Sequence, residues 1–381
     1  MKIVAIICEY NPLHRGHSKQ IGRIRQIYGD DCAVVCLMSG SFVQRGMPAV
    51  FPKMVRAQAA LTAGADLVLE LPVTYALASA EGFAAGGVSI LAGFCDALCF
   101  GSETGSARTL MQTAELLLSP AFSPALRARL DEGLSFPAAR QRALAELGAD
   151  ASVLSSPNDI LGVEYCKAIL SQNTSMEPLV IRREGGYHDT LPDADNPSAT
   201  SRRRLIEAGQ SIDAYVPEGT AQLYRREDLH TLAAGERAML LRLRTMTDAE
   251  FEALPFGSEG LWRKLMHESR RQATLEQILT AVKSKRYTRT RLDRMVLCAV
   301  LGLTARDLQT PAPYARILGF SQRGRQVLRQ AKEATPLYNV GQRIDDPFQV
   351  LENRCGDVYA LFREGTPDPA GSEAQLRIIR I

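Results

Sequence analysis

The chain opens on a nearly continuous apolar run, Lys2–Cys8, which breaks directly into Glu9-Tyr10-Asn11-Pro12-Leu13-His14-Arg15-Gly16-His17. This junction constrains the fold more than any other stretch. A run rich in Val and Ile, with no polar alternation, reads as a central parallel strand buried on both faces. A parallel strand reaches its neighbour through a right-handed crossover, usually a helix. Ser18–Tyr28 supplies one, with Ile21, Ile24 and Ile27 spaced three apart. The alternation continues. Cys32–Met38, Asp66–Leu71, Ala97–Phe100 and Leu179–Arg182 read as strands. Lys53–Ala63, Ala80–Leu91, Ser106–Leu118, Pro124–Leu147, Asn158–Leu170 and Thr200–Ala208 read as helices. The fold class is therefore α/β, with a Rossmann-like, mostly parallel sheet. Past Val216 the strand signal fades. Leu229–Arg244, Thr247–Leu254, Gly260–Ser269, Leu275–Lys283, Arg289–Leu301 and Gln322–Ala331 carry helical spacing. The expected organisation is an α/β domain over 1–220 and a mainly helical, basic domain over 221–381.

Composition removes several classes. Of 381 residues, 46% are apolar and 23% charged, a globular mix that excludes disordered, collagen-like and coiled-coil chains. The longest uncharged run, Gly82–Cys95, has 14 residues and is interrupted by glycines. A membrane span needs about 18. The N-terminal run meets Glu9 without a small-residue cleavage site, so it is read as a strand, not a leader. The expected location is cytoplasmic, with no membrane partner. The eight cysteines include no C-x-x-C pair. Cys32/Cys36 and Cys95/Cys99 lie in apolar runs and read as reduced, buried thiols. No metal site is expected from these residues.

The strongest chemical signal is the pair of histidines around Gly16. They stand where a strand gives way to a helix. A helix N-terminus offers N–H groups and a partial positive charge to phosphate. Gly16 lets backbone approach closely. His14 and His17 can donate to phosphate oxygens as charge builds during attack on an α-phosphorus. The chain has only five histidines, so this spacing is informative. A second candidate is Pro197-Ser198-Ala199-Thr200-Ser201-Arg202-Arg203-Arg204. Thr200 or Ser201 can cap a helix whose first turn then carries arginines. That charge opposes the helix dipole unless an anion binds there.

Weaker signals are Phe100-Gly101-Ser102-Glu103, a turn suited to an adenine or ribose edge, and the helix start Pro157-Asn158-Asp159-Ile160-Leu161-Gly162. Arg182-Arg183 precede a flexible Gly pair. Ser39–Gly46, with Lys53, reads as one wall of the site. In the second half, Trp262–Ala334 holds 16 Lys and Arg against 5 Asp and Glu, whereas the whole chain carries only +3. Within it Lys283, Lys285, Arg286, Arg289 and Arg291 surround Tyr287. Phosphate-binding cations with an interleaved aromatic suit RNA. Arg316, Arg323, Arg325 and Arg329 are expected to add to this field.

The motif after the first strand resembles that of HIGH-type nucleotidyltransferases. The longer set is more specific. Glu9-Tyr10-Asn11-Pro12, His14, Gly16-His17, Met38-Ser39-Gly40, Gln44-Arg45-Gly46, Glu70-Leu71-Pro72, Phe100-Gly101-Ser102-Glu103, Pro157-Asn158-Asp159-Ile160-Leu161-Gly162 and Arg286-Tyr287-Thr288 together resemble the bacterial tRNA(Met) cytidine acetate ligase family. The resemblance runs from residue 1 to about 295. It implies an enzyme that forms acetyl-adenylate from acetate and ATP, then acetylates N4 of the wobble cytidine of elongator tRNA(Met). It implies ATP contacts from Ile7-Cys8-Glu9-Tyr10-Asn11-Pro12-Leu13-His14-Arg15-Gly16-His17-Ser18-Lys19-Gln20, from Gly101 and Asn158, and from Arg182 or Arg183. Ser201 and Arg203 match the family's second phosphate motif, although Arg202 stands where an aliphatic residue is expected. His14, His17 and Arg203 are the expected catalytic groups. Mg2+ is expected as the companion of ATP, with no acidic ligand assigned. The alternative is a nucleotidyltransferase that adenylylates a small phosphorylated cofactor precursor, which leaves the basic second half without a role.

Overall fold

A computed structural model of the chain describes residues 1–182, 199–284 and 286–381, and gives the backbone alone for 199–201 and 207. Arg183, Ser198, Lys285 and the side chains of Thr200 and Ser201 therefore lie outside the described residues.

The strands are β1 (Lys2–Cys8), β2 (Cys32–Ser39), β3 (Phe42–Val43), β4 (Met47–Pro48), β5 (Leu67–Leu71), β6 (Ala97–Ser102), β7 (Glu177–Arg182), β8 (Ala315–Phe320), β9 (Leu337–Asn339) and β10 (Ile379–Arg380). One sheet runs β10-β8-β5-β2-β1-β6-β7, with β9 also on β8. From β5 to β7 every pairing is parallel, as the apolar strands require. β1 sits in the middle and pairs along its whole length, from Lys2↔Cys32 to Cys8↔Met38. Its alternate residues serve two cores. Ile3, Ala5 and Ile7 pack with Phe83, Val88 and Leu98 on one face. Val4, Ile6 and Cys8 pack with Ile21, Ile24 and Ala57 on the other. A third core lies among the helices between Leu232 and Leu301, and it takes Phe42 and Val73 from the sheet half. All eight cysteines are buried and unbridged. Burial pushes the Cys99 and Cys166 thiols up to about 12, so they pack as small hydrophobes.

Three sequence expectations are corrected. The first helix spans Arg15–Tyr28, starting before Ser18. Its N-cap is His14, a residue type outside the usual Ser/Thr/Asp/Asn set. The expected helix Pro124–Leu147 is two helices, Phe122–Asp131 and Phe136–Glu146. Gly133, at φ +83°, and Pro137 in the new first turn separate them. Residues beyond 216 return to the sheet. β8 pairs antiparallel with β5, and β9 and β10 pair with β8. No helix among the described residues is long and apolar enough to cross a membrane.

His230 sits where the helical part meets this sheet. Its ring stacks on Tyr359 at 4.0 Å, and its peptide N–H donates to the Val50 carbonyl. Burial pushes its imidazole down to about 4. The unfolded chain, at about 6.5, then binds more protons than the folded chain between these values. Stability is complete above about pH 6.5 and falls as the pH drops toward 4, by up to about 3 kcal/mol. Chemical denaturation at pH 7.5 and 4.5 checks this. His230→Gln should lose less stability over the interval than the parent; an equal loss would locate the sensitivity elsewhere.

Candidate active site

The chain passes from β1 to β2 and β5 on one side, then back to β6 and β7 on the other. A parallel sheet opens a crevice at such a reversal, beyond the carboxyl ends of its strands. A cavity of about 1080 Å³ lies there, lined by the loop after β1, the β3–β4 turn, the ends of β6 and β7 and the start of the helix Pro157–Ser171. Such a volume suits a ligand of nucleotide size.

The two histidines line it in a fixed arrangement. His14 Nδ1 accepts the Gly16 N–H at 3.1 Å, and His17 Nδ1 accepts the His14 N–H at 3.3 Å. Their rings stack with centroids 3.7 Å apart. An Nδ1 that accepts a backbone N–H carries no proton, so each neutral ring holds its proton on Nε2. Gly16 makes the arrangement possible. A Cβ there would stand 3.0 Å from His14 Cε1. Tyr10, whose ring lies 4.9 Å from that of His17, takes a left-handed φ of +46°. Such strain in a non-glycine residue concentrates at functional sites.

The loop after β1 is tied down from several sides. Asn11 Oδ1 accepts the Val50 N–H at 2.8 Å, and Glu9 Oε1 accepts the Gln44 N–H at 2.7 Å. Arg203 reaches in from the helix Ala199–Glu207 and donates to the Asn11 carbonyl at 2.9 Å. Of the three arginines in that motif, Arg203 lines the cleft, Arg202 is buried with its guanidinium 3.5 Å from the Tyr215 ring centroid, and Arg204 is exposed. Arg56 lies beneath. It is fully buried and donates to the carbonyls of Phe51, Glu9, Ser39 and Gly40. One guanidinium thus joins the ends of β1 and β2.

On the far side, the turn after β6 and the helix Pro157–Ser171 clasp each other. The buried Asp159 carboxylate accepts the Glu103 N–H at 3.0 Å, the Thr104 N–H at 3.1 Å and the Ser102 hydroxyl. The Glu103 carboxylate accepts the Asn158 side-chain amide and the Asp159 N–H. The two weak sequence signals are therefore partners. Asn158 is not a cap; Ser156 holds that position.

Of the residues expected at ATP, Ile7, Cys8, Glu9, Tyr10, Asn11, His14, Gly16, His17, Lys19, Gln20, Gly101, Asn158 and Arg182 line the cleft. Pro12, Leu13, Arg15 and Ser18 do not. Leu13 is buried, with its N–H donating to the Tyr224 hydroxyl, and Ser18 bonds back to the Arg15 carbonyl. Gln44 and Arg45 do form a wall, but Lys53 does not. Lys53 is buried between Glu70, at 3.0 Å, and Glu373. Arg316 likewise adds nothing to a surface field, because it is buried among Glu70, Glu352 and Glu373.

In the basic segment, Lys283 and Arg286 are exposed. Arg286 and the Tyr287 hydroxyl both meet Glu259, Arg289 pairs with Glu276 and Asp293, and Arg291 donates to the Phe256 carbonyl. Sequence reasoning missed Arg56 and Asp159 as organisers. A charged residue satisfied by backbone leaves no pattern that separates it from a solvated one. Among the described residues, no three His, Cys, Asp or Glu side chains lie together as a metal-binding group.

Residues 1–371 match the family model described as HIGH Nucleotidyl Transferase. The chain is 36% identical over 366 residues to the tRNA(Met) cytidine acetate ligase of Acetivibrio thermocellus, covering 88% of this chain and 87% of that one. It is 36% identical over 397 residues to the protein of the same name from Anoxybacillus flavithermus, covering 99% and 98%. The crystal structure of Thermotoga maritima TmcAL, 28% identical, matches over the whole of both chains with a TM-score of 0.91 in its apo form. The same protein bound with alpha-thio ATP matches with a TM-score of 0.89.

Proposed function

Since the chain belongs to the HIGH nucleotidyltransferase family and to the tRNA(Met) cytidine acetate ligases within it, we propose that its cleft activates acetate with ATP and delivers the acetyl group to N4 of the wobble cytidine of elongator tRNA(Met). The observation that carries the reading is the paired, tautomer-fixed histidines at a helix N-terminus, with Arg203 beside them. It is supported by the nucleotide analogue bound to the Thermotoga maritima relative.

The chemistry runs in two displacements. An acetate oxygen attacks the α-phosphorus, and the bond to the bridging oxygen breaks, releasing pyrophosphate. The Nε2–H groups of His14 and His17, the N-terminal peptide N–H groups and Arg203 receive the charge that develops on the phosphate oxygens. The cytidine N4 amine then attacks the acetyl carbonyl. AMP leaves with the bonding pair, and the amine loses a proton. No protein nucleophile is required, because the mixed anhydride is already activated; orientation supplies most of the rate. The cytidine must leave its stack to reach the carbonyl. Mg2+ would accompany the triphosphate and help to neutralise its charge. In this reading residues 1–220 hold ATP and acetate, and residues 221–381 present the tRNA surface, with Ser201, Arg183 and Lys285 retained as candidate contacts.

Alpha-labelled ATP, acetate and tRNA, given separately and together, test this reading. Acetylcytidine and AMP should form only with all three. ATP turnover that needs neither acetate nor tRNA would favour adenylylation of a small cofactor precursor. The tRNA surface has its own test. Lys283→Glu with Arg286→Glu should weaken tRNA binding and flatten its salt dependence by about one unit of slope or more, as two phosphate contacts are lost. Unchanged binding would make the segment an ordinary solvated face.

A further inference from the structure

We propose that the apolar corner of the cleft formed by Ile7, Phe83, Phe100 and Tyr165 is the acyl subsite, where the Tyr165 hydroxyl holds the carboxylate of a two-carbon acid and the side chains around it exclude longer ones. The proposal rests on the acetate reading above and gives the acid a place.

The cleft divides along β1. Alternate residues of that strand face opposite sides of the sheet, and the first helix, which carries His17, packs on the side of Ile6 and Cys8. Ile7 packs on the other side, with Phe83, Phe100 and Tyr165. All four of these line the cleft. The helix N-terminus with its two histidines suits phosphates. Gly101, Ile160, Leu161 and Val180, around the ends of β6 and β7, suit the base and ribose. The corner over Ile7 is left for the acid.

Tyr165 brings a polar atom into this corner. The residue is 2% exposed, its ring lies 5.2 Å from that of Phe100, and its hydroxyl makes no hydrogen bond among the described residues. Buried hydroxyls are normally paired. This one is not sealed off, and the residue lines the cleft, so a ligand atom can pair with it. Burial, with Cys8 and Glu9 at the end of β1 adding to it, pushes the phenol well above its usual range. It therefore stays protonated and donates.

A carboxylate has two oxygens for two tasks. One attacks the α-phosphorus and becomes the bridging oxygen of the anhydride. The other becomes the acyl carbonyl oxygen, and this is the one that the Tyr165 O–H meets. When the cytidine amine adds to the carbonyl carbon, that oxygen gains negative charge, which it gives back as AMP departs. A donor placed in advance stabilises it. Tyr165 itself gives up no proton.

The corner is also rigid. Gly87 lets the helix Ala80–Leu91 lie directly on Ile7, because a Cβ there would stand 2.5 Å from Ile7 Cδ1. Gly162 lets the helix Pro157–Ser171 lie on Phe100 in the same way, at 2.9 Å. Ile7 and Phe100 thus have no room to retreat from a longer acid, and the buried Phe83 closes the side.

The test uses the full-length protein with ATP, tRNA and acetate, propionate or butyrate. Pyrophosphate release gives kcat/KM for each acid, and mass spectrometry of digested tRNA identifies the acyl group. Calorimetry gives ATP affinity separately. The wild type should use propionate about tenfold less well than acetate, or worse. Tyr165→Phe should lower kcat/KM for acetate by about 10–100-fold, as expected for a lost hydrogen bond to a charged group. ATP affinity and Tm should stay those of the parent. A merely structural tyrosine would show no such loss, since its hydroxyl bonds nothing among the described residues. Phe83→Ala should raise the use of butyrate relative to acetate by about tenfold or more and place butyryl on the tRNA.

An unchanged kcat/KM for acetate in Tyr165→Phe overturns the proposal. So does a fall in ATP affinity that matches the loss, which would make the corner part of the nucleotide site. A wild type that takes propionate as well as acetate, or a folded Phe83→Ala with the parent's order of acids, overturns the exclusion of longer acids. If Phe83→Ala fails to fold, Tyr165→Phe and the wild-type series decide. A wild type that turns over ATP with no acid present overturns the acetate reading and the proposal with it.

Discussion

His14→Ala should slow adenylate formation by about 10²–10³-fold, the loss found when one pre-placed donor to a developing oxyanion is removed. Its tRNA affinity should stay within about twofold, since the basic segment lies on different elements. On the proposed mechanism two roles are superposed at this position. The ring caps the helix through Nδ1, and His14 lines the cleft. Losing a cap alone costs about 1 kcal/mol of stability. His14→Asn separates the roles, because asparagine caps well and offers no imidazole. It should regain the stability that His14→Ala loses and none of the rate. A His14→Asn enzyme with the full rate of adenylate formation would remove His14 from the chemistry and leave it as a cap.

Arg316→Met should destabilise the fold by about 3–5 kcal/mol, as expected when one partner of a buried ionic cluster is deleted. Arg316 Nε lies 2.9 Å from Glu70, and its terminal nitrogens reach Glu352 and Glu373. All four side chains are buried. Burial pushes Glu352 up, against the pull of Arg316, while Arg316 and Lys53 overcome burial to hold Glu70 low. Without Arg316, three carboxylates share Lys53 alone. A carboxylate stranded in this way takes up a proton more readily folded than unfolded. The deficit relative to the parent should therefore shrink as the pH falls from 7 toward 5. Denaturant titrations at these two pH values measure it. Equal stability of parent and variant at pH 7 would show that the cluster holds nothing together.

The sheet was legible because β1, β2, β5 and β6 are buried on both faces, and a short unbroken run of Val, Ile and Leu suits a strand covered on both sides. The residues after β1 were legible on a different ground, since phosphate chemistry restricts both residue type and spacing. β8 was not. Its sequence, Ala-Arg-Ile-Leu-Gly-Phe, puts a charge and a glycine inside a strand, and only the fold shows why. Arg316 faces three glutamates from distant segments, and a Cβ on Gly319 would meet Leu61 and Ile379 at under 3 Å. The start of the first helix is hidden because His14 is an unfamiliar cap. The hairpin β3–β4 hides its packing in Gly46, at φ +77°, where a Cβ would strike the Arg294 backbone. Long-range contacts of this kind leave no local period to read.

The late return of β8 also bears on how the protein is made. During synthesis β5 emerges early, yet the strand that covers its outer side lies about 250 residues downstream (Leu67↔Phe320). Until then β5 is an open hydrogen-bonding edge, the kind that recruits other chains. At about 5–20 residues per second a ribosome needs on the order of 10–50 seconds to close that gap. The nascent chain thus carries a timed vulnerability, and its yield in a cell should depend on translation speed and on whatever chaperones shelter the edge meanwhile.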